Sequence, residues 1–302
     1  MALQEQQQNT EPKTPVQRDA STAAFEFVRE LSAELSASTI ELPSFPEVAA
    51  RVQKVLSDEH CSSERVVRVI GAEPMLATRV LSMANSAALN PGGKPVAELR
   101  TAVTRLGFDA LRAATVSFAM AQLRSAAGFK GVQRYLDALW QQSVLVASLC
   151  FVVARRTGRL NADTAMLTGL VHGVGKLYIL TRSTRHPALF ADQDMYQHIV
   201  NDWHGSIAKV LLENWRMAEE IITAVDSYDD DSRQTRGASA LLADVLEVAV
   251  TLAMCKQLPE LLGERVGALK SGVRLELNAE ICQALMLESA EELAALRSAL
   301  GH

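Results

Sequence analysis

Apolar residues recur at helical spacing from one end of the chain to the other. Ala24, Val28, Leu31 and Leu35 fall at i, i+4, i+7 and i+11, which predicts a first amphipathic helix. Ser44 and Glu47 have capping-box spacing, with Pro46 early in the next predicted helix, and Val48, Val52 and Val55 carry its apolar face. "SSERVVRVIGAEP" reads as a short helix ending at a glycine. The following helix starts near Pro74 and turns Leu76, Val80 and Met83 inward. "NPGGKP", residues 90–95, is a loop by composition. Leu99, Val103 and Leu106 predict a short helix stopped by Gly107. Asp109 is placed to cap its successor, in which Leu111, Thr115 and Phe118 share a face.

Past "SAAGFKG", residues 125–131, the same period resumes. Leu139, Gln142, Val146, Leu149 and Val153 lie on one stripe of a long helix that ends near Gly158. "NADTAMLTGLVHGVGKLYIL" follows, and then a stripe of His204, Ile207, Ala208, Leu211 and Trp215. Ile221, Ile222 and Val225 mark a helix running into "YDDD". A long helix covers roughly residues 237–257, and two short capped helices end the chain, with Ser289 and Glu292 at capping-box spacing. No stretch alternates with period two and no repeat of fixed length occurs. The pattern therefore predicts an all-α protein of two contacting helical subdomains, residues 21–125 and 126–302, after a disordered tail over residues 1–20. That tail, rich in Gln, Pro and charge, cannot nucleate a core.

Composition narrows the function classes. The 302 residues suffice for one large or two smaller cores, and 48% hydrophobic content is ordinary for a globular protein. A formal net charge of -5 with dispersed arginines gives no electrostatic ground for binding nucleic acid. The longest apolar run, residues 144–154, is short of the roughly 20 residues a membrane span needs, and the N-terminus lacks the apolar segment of a signal peptide. Cys61, Cys150, Cys255 and Cys282 form no C-x-x-C pair and read as thiols of a reducing cytoplasm.

"HGVGK", residues 172–176, invites comparison with a phosphate-binding loop and fails it. Residue 170 is Leu where the first glycine of that motif belongs, and residue 177 is Leu where Ser or Thr belongs. A different likeness is carried by "LPSFPEVAARVQKVLSD", "LATRVLSMANSAAL", "AVTRLGFDALRAATVSFAM", "LWQQSVLVASLCFVVAR" and "GLVHGVGKLYIL", in that order. Over roughly residues 30–300 the chain resembles the HDOD family, the HD-related output domain of bacterial signalling proteins. Its second subdomain is similar to HD-type metal-dependent phosphohydrolases.

The resemblance implies a metal site in which a first His on the long helix joins an adjacent His-Asp pair and a later Asp. The first position is matched here by Gln142. His172 matches the His of the pair, and Gly173 stands where its Asp is expected. Lys176 matches a lysine that follows the pair, and His204 a His of the next motif. Tyr228-Asp229 occupies the place of a later His-His pair. The missing carboxylate is the ligand that would neutralise a divalent ion. Imidazoles alone leave the ion's charge uncompensated, and Gln is a weak neutral donor. Gly173 also weakens a helix interior unless a close approach requires it.

The simplest reading makes His172 and His204 hydrogen-bonded core residues with Gln142 as their amide partner, a polar cluster standing where a metal would be. On that reading Lys176 faces solvent, the acidic run 229–231 is a solvated turn, and Asn85 is a C-cap or turn residue. The family likeness then implies a non-catalytic cytoplasmic signalling module with no metal or cofactor. It would act on bacterial signalling proteins of two-component or cyclic-di-GMP pathways. HDOD-like sequence fills the length, so its signal is expected to arrive by docking or ligand binding, with the groove near residues 85–95 and 172–176 as the expected surface. Two alternatives stand beside it: a residual phosphohydrolase using His172, His204 and Asp226 or Asp229, and a nucleotide sensor holding its anion on Lys176.

Overall fold

Helical periodicity is realised throughout. The computed structural model describes residues 15–37, 40–42, 46–58, 60–230, 238–256 and 259–301, and no strand occurs among them. The protein is all-α, as expected.

The first helix, α1 (Pro15–Ser36), opens inside the segment expected to be an irregular tail. Proline suits a first turn because its missing N–H is one that the turn leaves unpaired anyway. The buried stripe is Ala20, Ala24, Phe27 and Leu31, with Val28 and Leu35 on its flank. Residues 1–14 of the expected tail lie outside the described residues. Helix α2 (Glu47–Leu56) starts later than the capping box implies. Pro46 is its extended N-cap residue, and Ser44 lies outside the described residues. Helix α3 (Ser63–Gly71) is capped by Ser62, whose Oγ accepts from the Arg65 N–H at 3.3 Å. Helix α4 (Pro74–Ala84) buries Leu76, Val80 and Met83 completely. Asn85 is its C-cap, and the side-chain amide pins the following loop. Nδ2 donates to the Leu81 and Val96 carbonyls at 2.9 and 2.8 Å, and Oδ1 accepts from the Val96 N–H at 2.7 Å.

The two helices predicted around Gly107 follow one another across a break at that residue and are labelled together as α5 (Leu99–Ser125). Gly107 sits at φ 73°, a conformation that side-chain-bearing residues rarely adopt, and it turns the axis there. Asp109 does not serve as the expected cap. Its carboxylate accepts from Arg112 Nη1 at 3.1 Å and from Thr164 Oγ1 at 2.6 Å, so it joins the two halves of the chain. A 3-10 turn (Ala127–Val132) leads into α6 (Gln133–Thr157). By length and hydropathy α6 could cross a membrane, but 67% of its most apolar window is buried inside the protein. It is the central strut, packed on α7 (Ala162–Val171), on α11 (Ala238–Cys255) and on α15 (Ala290–Ala299).

Helix α8 (Val174–Ser183) follows α7 after a tight corner at His172-Gly173. A 3-10 turn (Pro187–Ala191) then leads to α9 (Gln193–Asn214) and α10 (Glu219–Ser227). The stripe on α9 is buried as predicted. After α11 come α12 (Leu262–Ala268) and α13 (Lys270–Arg274), and then α14 (Ala279–Glu288) before α15. Asn278 caps α14, its Oδ1 accepting from the Ile281 N–H at 2.8 Å. The predicted Ser289–Glu292 box does not form: Ser289 makes no side-chain cap bond, and Glu292 pairs with Arg155 instead. Asp244 of α11 is 2% exposed and accepts from Arg274 of α13 through Nε at 2.7 Å and through Nη2.

The ends of the chain cross over. Helix α1 lies against α9 and the turn before it. Glu30 meets His186 Nε2 at 3.1 Å, and Glu34 accepts from the Tyr178 hydroxyl at 2.6 Å and pairs with Arg182. At the other end the carbonyls of Ala299, Leu300 and Gly301 accept from Arg79 Nη1, Ser117 Oγ and Trp140 Nε1 at 3.2, 2.5 and 3.3 Å. These donors sit on α4, α5 and α6. The boundary at residues 125–131 divides the sequence, but the contacts run across it.

Candidate functional site

The corner between α7 and α8 holds His172. It is the C-cap of α7 and 3% exposed, and its Nδ1 lies 2.6 Å from the Gly169 carbonyl oxygen one turn back. A carbonyl only accepts, so Nδ1 carries the proton and Nε2 keeps the lone pair. Tyr228, just beyond α10, sets its ring edge-on to His172 with centroids 6.3 Å apart. Burial is the main cause that lowers the His172 pKa to about 4. The Gly169 bond opposes it, and Lys176 and His204 add to it.

Gly173 is the N-cap residue of α8 and lies beside Ser143 of α6. A Cβ there would lie 3.0 Å from Ser143 Oγ, so a carboxylate at 173 would need Ser143 to turn aside. Gly175 serves the approach of α8 to α9. A Cβ at 175 would penetrate the His204 carbonyl oxygen and come within 2.8 Å of its carbon and 3.1 Å of the Ala208 nitrogen. That backbone-to-backbone approach sets His204 beside α8. His204 is buried, with Nε2 3.8 Å from Asp229 Oδ2, beyond hydrogen-bond range. Burial lowers its pKa first and Lys176 adds to this, against Asp229. Lys176 lies in the first turn of α8 and is half-buried rather than facing solvent as expected. Its ammonium pKa is lowered by burial and partly restored by Asp229.

The expected partnership of Gln142 with these histidines is not realised. Gln142 is exposed and lines a separate surface cleft with Lys256 and Arg297. One residue further along α6 points about 100° round the axis, and Ser143 is the residue that faces Gly173. Asp226, the alternative carboxylate, pairs with Lys209 at 3.5 Å. Of the acidic run Asp229 approaches His204, and Asp231 lies outside the described residues. So His172, Lys176, His204, Tyr228 and Asp229 form the cluster, with Gly173 and Ser143 as its floor. Ser143 is the member that sequence reasoning misses, whereas Tyr228-Asp229 stands at the place the family likeness marks for a later His-His pair. For Ser143 a signal existed, because Ser143, Ala147 and Cys150 put small side chains at i, i+4 and i+7 on one face of α6.

A metal centre requires several oxygen or nitrogen donors converging on one point, and here the donor set does not fit one. Among the described residues no group of three or more His, Cys, Asp and Glu side chains is placed to hold an ion. What the cluster presents is two imidazoles held neutral, one ammonium and one carboxylate.

A pH dependence follows. A histidine whose folded pKa lies below its unfolded value leaves stability whole above the unfolded value near 6.5. Stability is then lost as pH falls toward the folded value of about 4. His172 alone is expected to remove on the order of 3 kcal/mol over that window. Urea unfolding at pH 7 and pH 5 should show the loss, and a His172→Gln variant should show less of it. An equal pH response in the variant would rule out His172 as the cause.

Comparison with known proteins places the fold. A candidate metal-dependent phosphohydrolase from Shewanella amazonensis SB2B superposes with a TM-score of 0.73 at 25% sequence identity, covering 92% of this chain and 99% of that one. An HDOD domain protein of unknown function from Geobacter sulfurreducens gives a TM-score of 0.60 at 20% identity, covering 94% and 98%. A candidate signal transduction protein from Marinobacter aquaeolei VT8 gives 0.59 at 22% identity, covering 95% of this chain and 66% of that one. No curated protein matches the chain in sequence. The HDOD domain model matches residues 42–230, more than half of the chain and the whole of the cluster from Ser143 to Asp229. The chain belongs to the HDOD domain family.

Proposed function

We propose that this protein is a non-catalytic signal-transduction module of the bacterial cytoplasm, which works by binding partner proteins and has lost the HD metal site. The observation that carries the reading is the contact between Gly173 and Ser143. An HD-type site needs a carboxylate beside His172. Here that position has no side chain, and its space is taken by a hydroxyl from α6. A neutral His172 tied to the Gly169 carbonyl is then a structural residue of the α7–α8 corner. The relative from Marinobacter aquaeolei, described as a candidate signal transduction protein, agrees with this role. Partners are expected among two-component and cyclic-di-GMP signalling proteins.

The residual-phosphohydrolase reading draws on the name of the relative from Shewanella amazonensis and on the approach of Asp229 to His204. One experiment separates the two. Protein purified without chelator is analysed for Mn, Fe and Ni and assayed with a phosphodiester substrate, alongside His172→Ala. The module reading expects far less than one metal per chain in both proteins and no turnover. One metal per chain that disappears in His172→Ala, with turnover restored by manganese after EDTA, would establish the enzyme.

A further inference from the structure

Away from this cluster, α2 and the C-terminal end of α9 enclose a cleft of about 470 Å³, within the range of small-molecule sites. Gln53 lines it from α2. The residue is 2% exposed, and neither Nε2 nor Oε1 has a hydrogen-bond partner. A buried amide with both ends unpaired is costly to the fold, and such groups are nearly always satisfied. Trp215, the C-cap of α9, forms part of the same wall. Two cations, Lys54 and Arg216, stand at the rim against one carboxylate, Glu41.

Arg216 adds a second anomaly. It occupies φ 54° just past the end of α9, the left-handed position where glycine is the cheap choice. Its backbone is held there: its N–H donates to the Glu213 carbonyl at 2.9 Å, and its own carbonyl accepts from Ser57 Oγ at 3.2 Å. A long cationic side chain is thus kept at the cleft mouth in a conformation that does not favour it. Strain and unsatisfied groups of this kind gather at binding sites.

We propose that the cleft binds a purine nucleotide. A primary amide that needs one donor and one acceptor side by side matches a nucleobase edge. Glutamine bidentate to the N6 and N7 of adenine is the standard case. Lys54 with Arg216 supplies the charge for a phosphate. The site uses none of the residues of the His172 cluster, so it stands or falls separately from the reading above.

The test is calorimetry on the full chain with AMP, GMP, ribose 5-phosphate and inorganic phosphate, with melting temperatures in parallel. AMP or GMP is expected to bind at least about tenfold tighter than ribose 5-phosphate. Gln53→Leu should weaken the nucleotide by about tenfold or more while leaving ribose 5-phosphate unaffected. Its melting temperature should hold or rise, since the variant removes an unpaired amide. Arg216→Gly should weaken all the phosphate-bearing probes, again with no fall in melting temperature. The proposal is overturned by no heat with either nucleotide, by equal binding of AMP and ribose 5-phosphate, or by undiminished nucleotide binding in both variants. A clear drop in the melting temperature of Gln53→Leu would show that its amide is engaged within the fold, and would overturn it too.

Discussion

A Gly175→Ala variant is expected to lose about 3 kcal/mol of stability or more, although alanine is the better helix former. The propensity gain from Gly to Ala is roughly 1 kcal/mol. Against it stands a methyl group driven into the backbone of α9 at His204 and Ala208, where neither a rotamer change nor a side-chain shift can relieve the overlap. Inserting a methylene into a well-packed core already costs about 1–3 kcal/mol when side chains can yield. Here α8 and α9 must move apart, and both carry residues of the His172 cluster. Urea unfolding should show the midpoint falling with little change in slope. Gly173→Ala is the control. Its Cβ would meet only the Ser143 hydroxyl at 3.0 Å, which can rotate, so the effect should stay within about 1 kcal/mol. If the two variants lose similar stability, the close approach of α8 to α9 is not what Gly175 supports.

The second large effect is expected at Arg274. Asp244 is buried, and Arg274 grips it with two N–H groups; the same contact holds the guanidinium pKa above its usual range. Arg274→Ala strips the bidentate cation from a carboxylate that water cannot reach. Removing one partner of a buried pair typically costs about 3–5 kcal/mol, mainly because the other charge is left behind. Replacing both residues is milder for the same reason, so the double variant Asp244→Leu with Arg274→Met should recover most of the loss. Thermal unfolding of the two single variants and the double variant measures this. A double variant no better than Arg274→Ala would mean that the loss comes from α13 packing rather than from stranded charge.

Much of this fold could be read from spacing, because a helix face that must be buried leaves a mark every three to four residues. The stripes on α4 and α9 were named residue for residue. Helix ends were less legible. Ser44–Glu47 and Ser289–Glu292 have the spacing of capping boxes. Yet the extended Pro46 is the N-cap of α2, and Glu292 is drawn to Arg155, 137 residues away in sequence. A local motif cannot reveal a distant competitor for its side chain. The same limit governs the site. His172, Gly173, Lys176 and His204 were legible from the motif, whereas Gln142 was named for a place that Ser143 fills. A one-residue error along a helix is invisible to a coarse stripe but rotates the side chain to another face. The empty bonding capacity of Gln53 left no trace in the pattern, since a buried glutamine looks the same in sequence whether or not its amide is met.

The crossed termini bear on how this domain can be exchanged between genes. A recombination event at residues 125–131 falls in what looks like a natural seam. Each product, however, would inherit a first helix shaped for one partner's α9 and a last turn shaped for another's α4 and α5. Such hybrids would misfit at both extremities at once. Inheritance as an indivisible cassette, spliced outside residues 15–301, is what the interlacing favours.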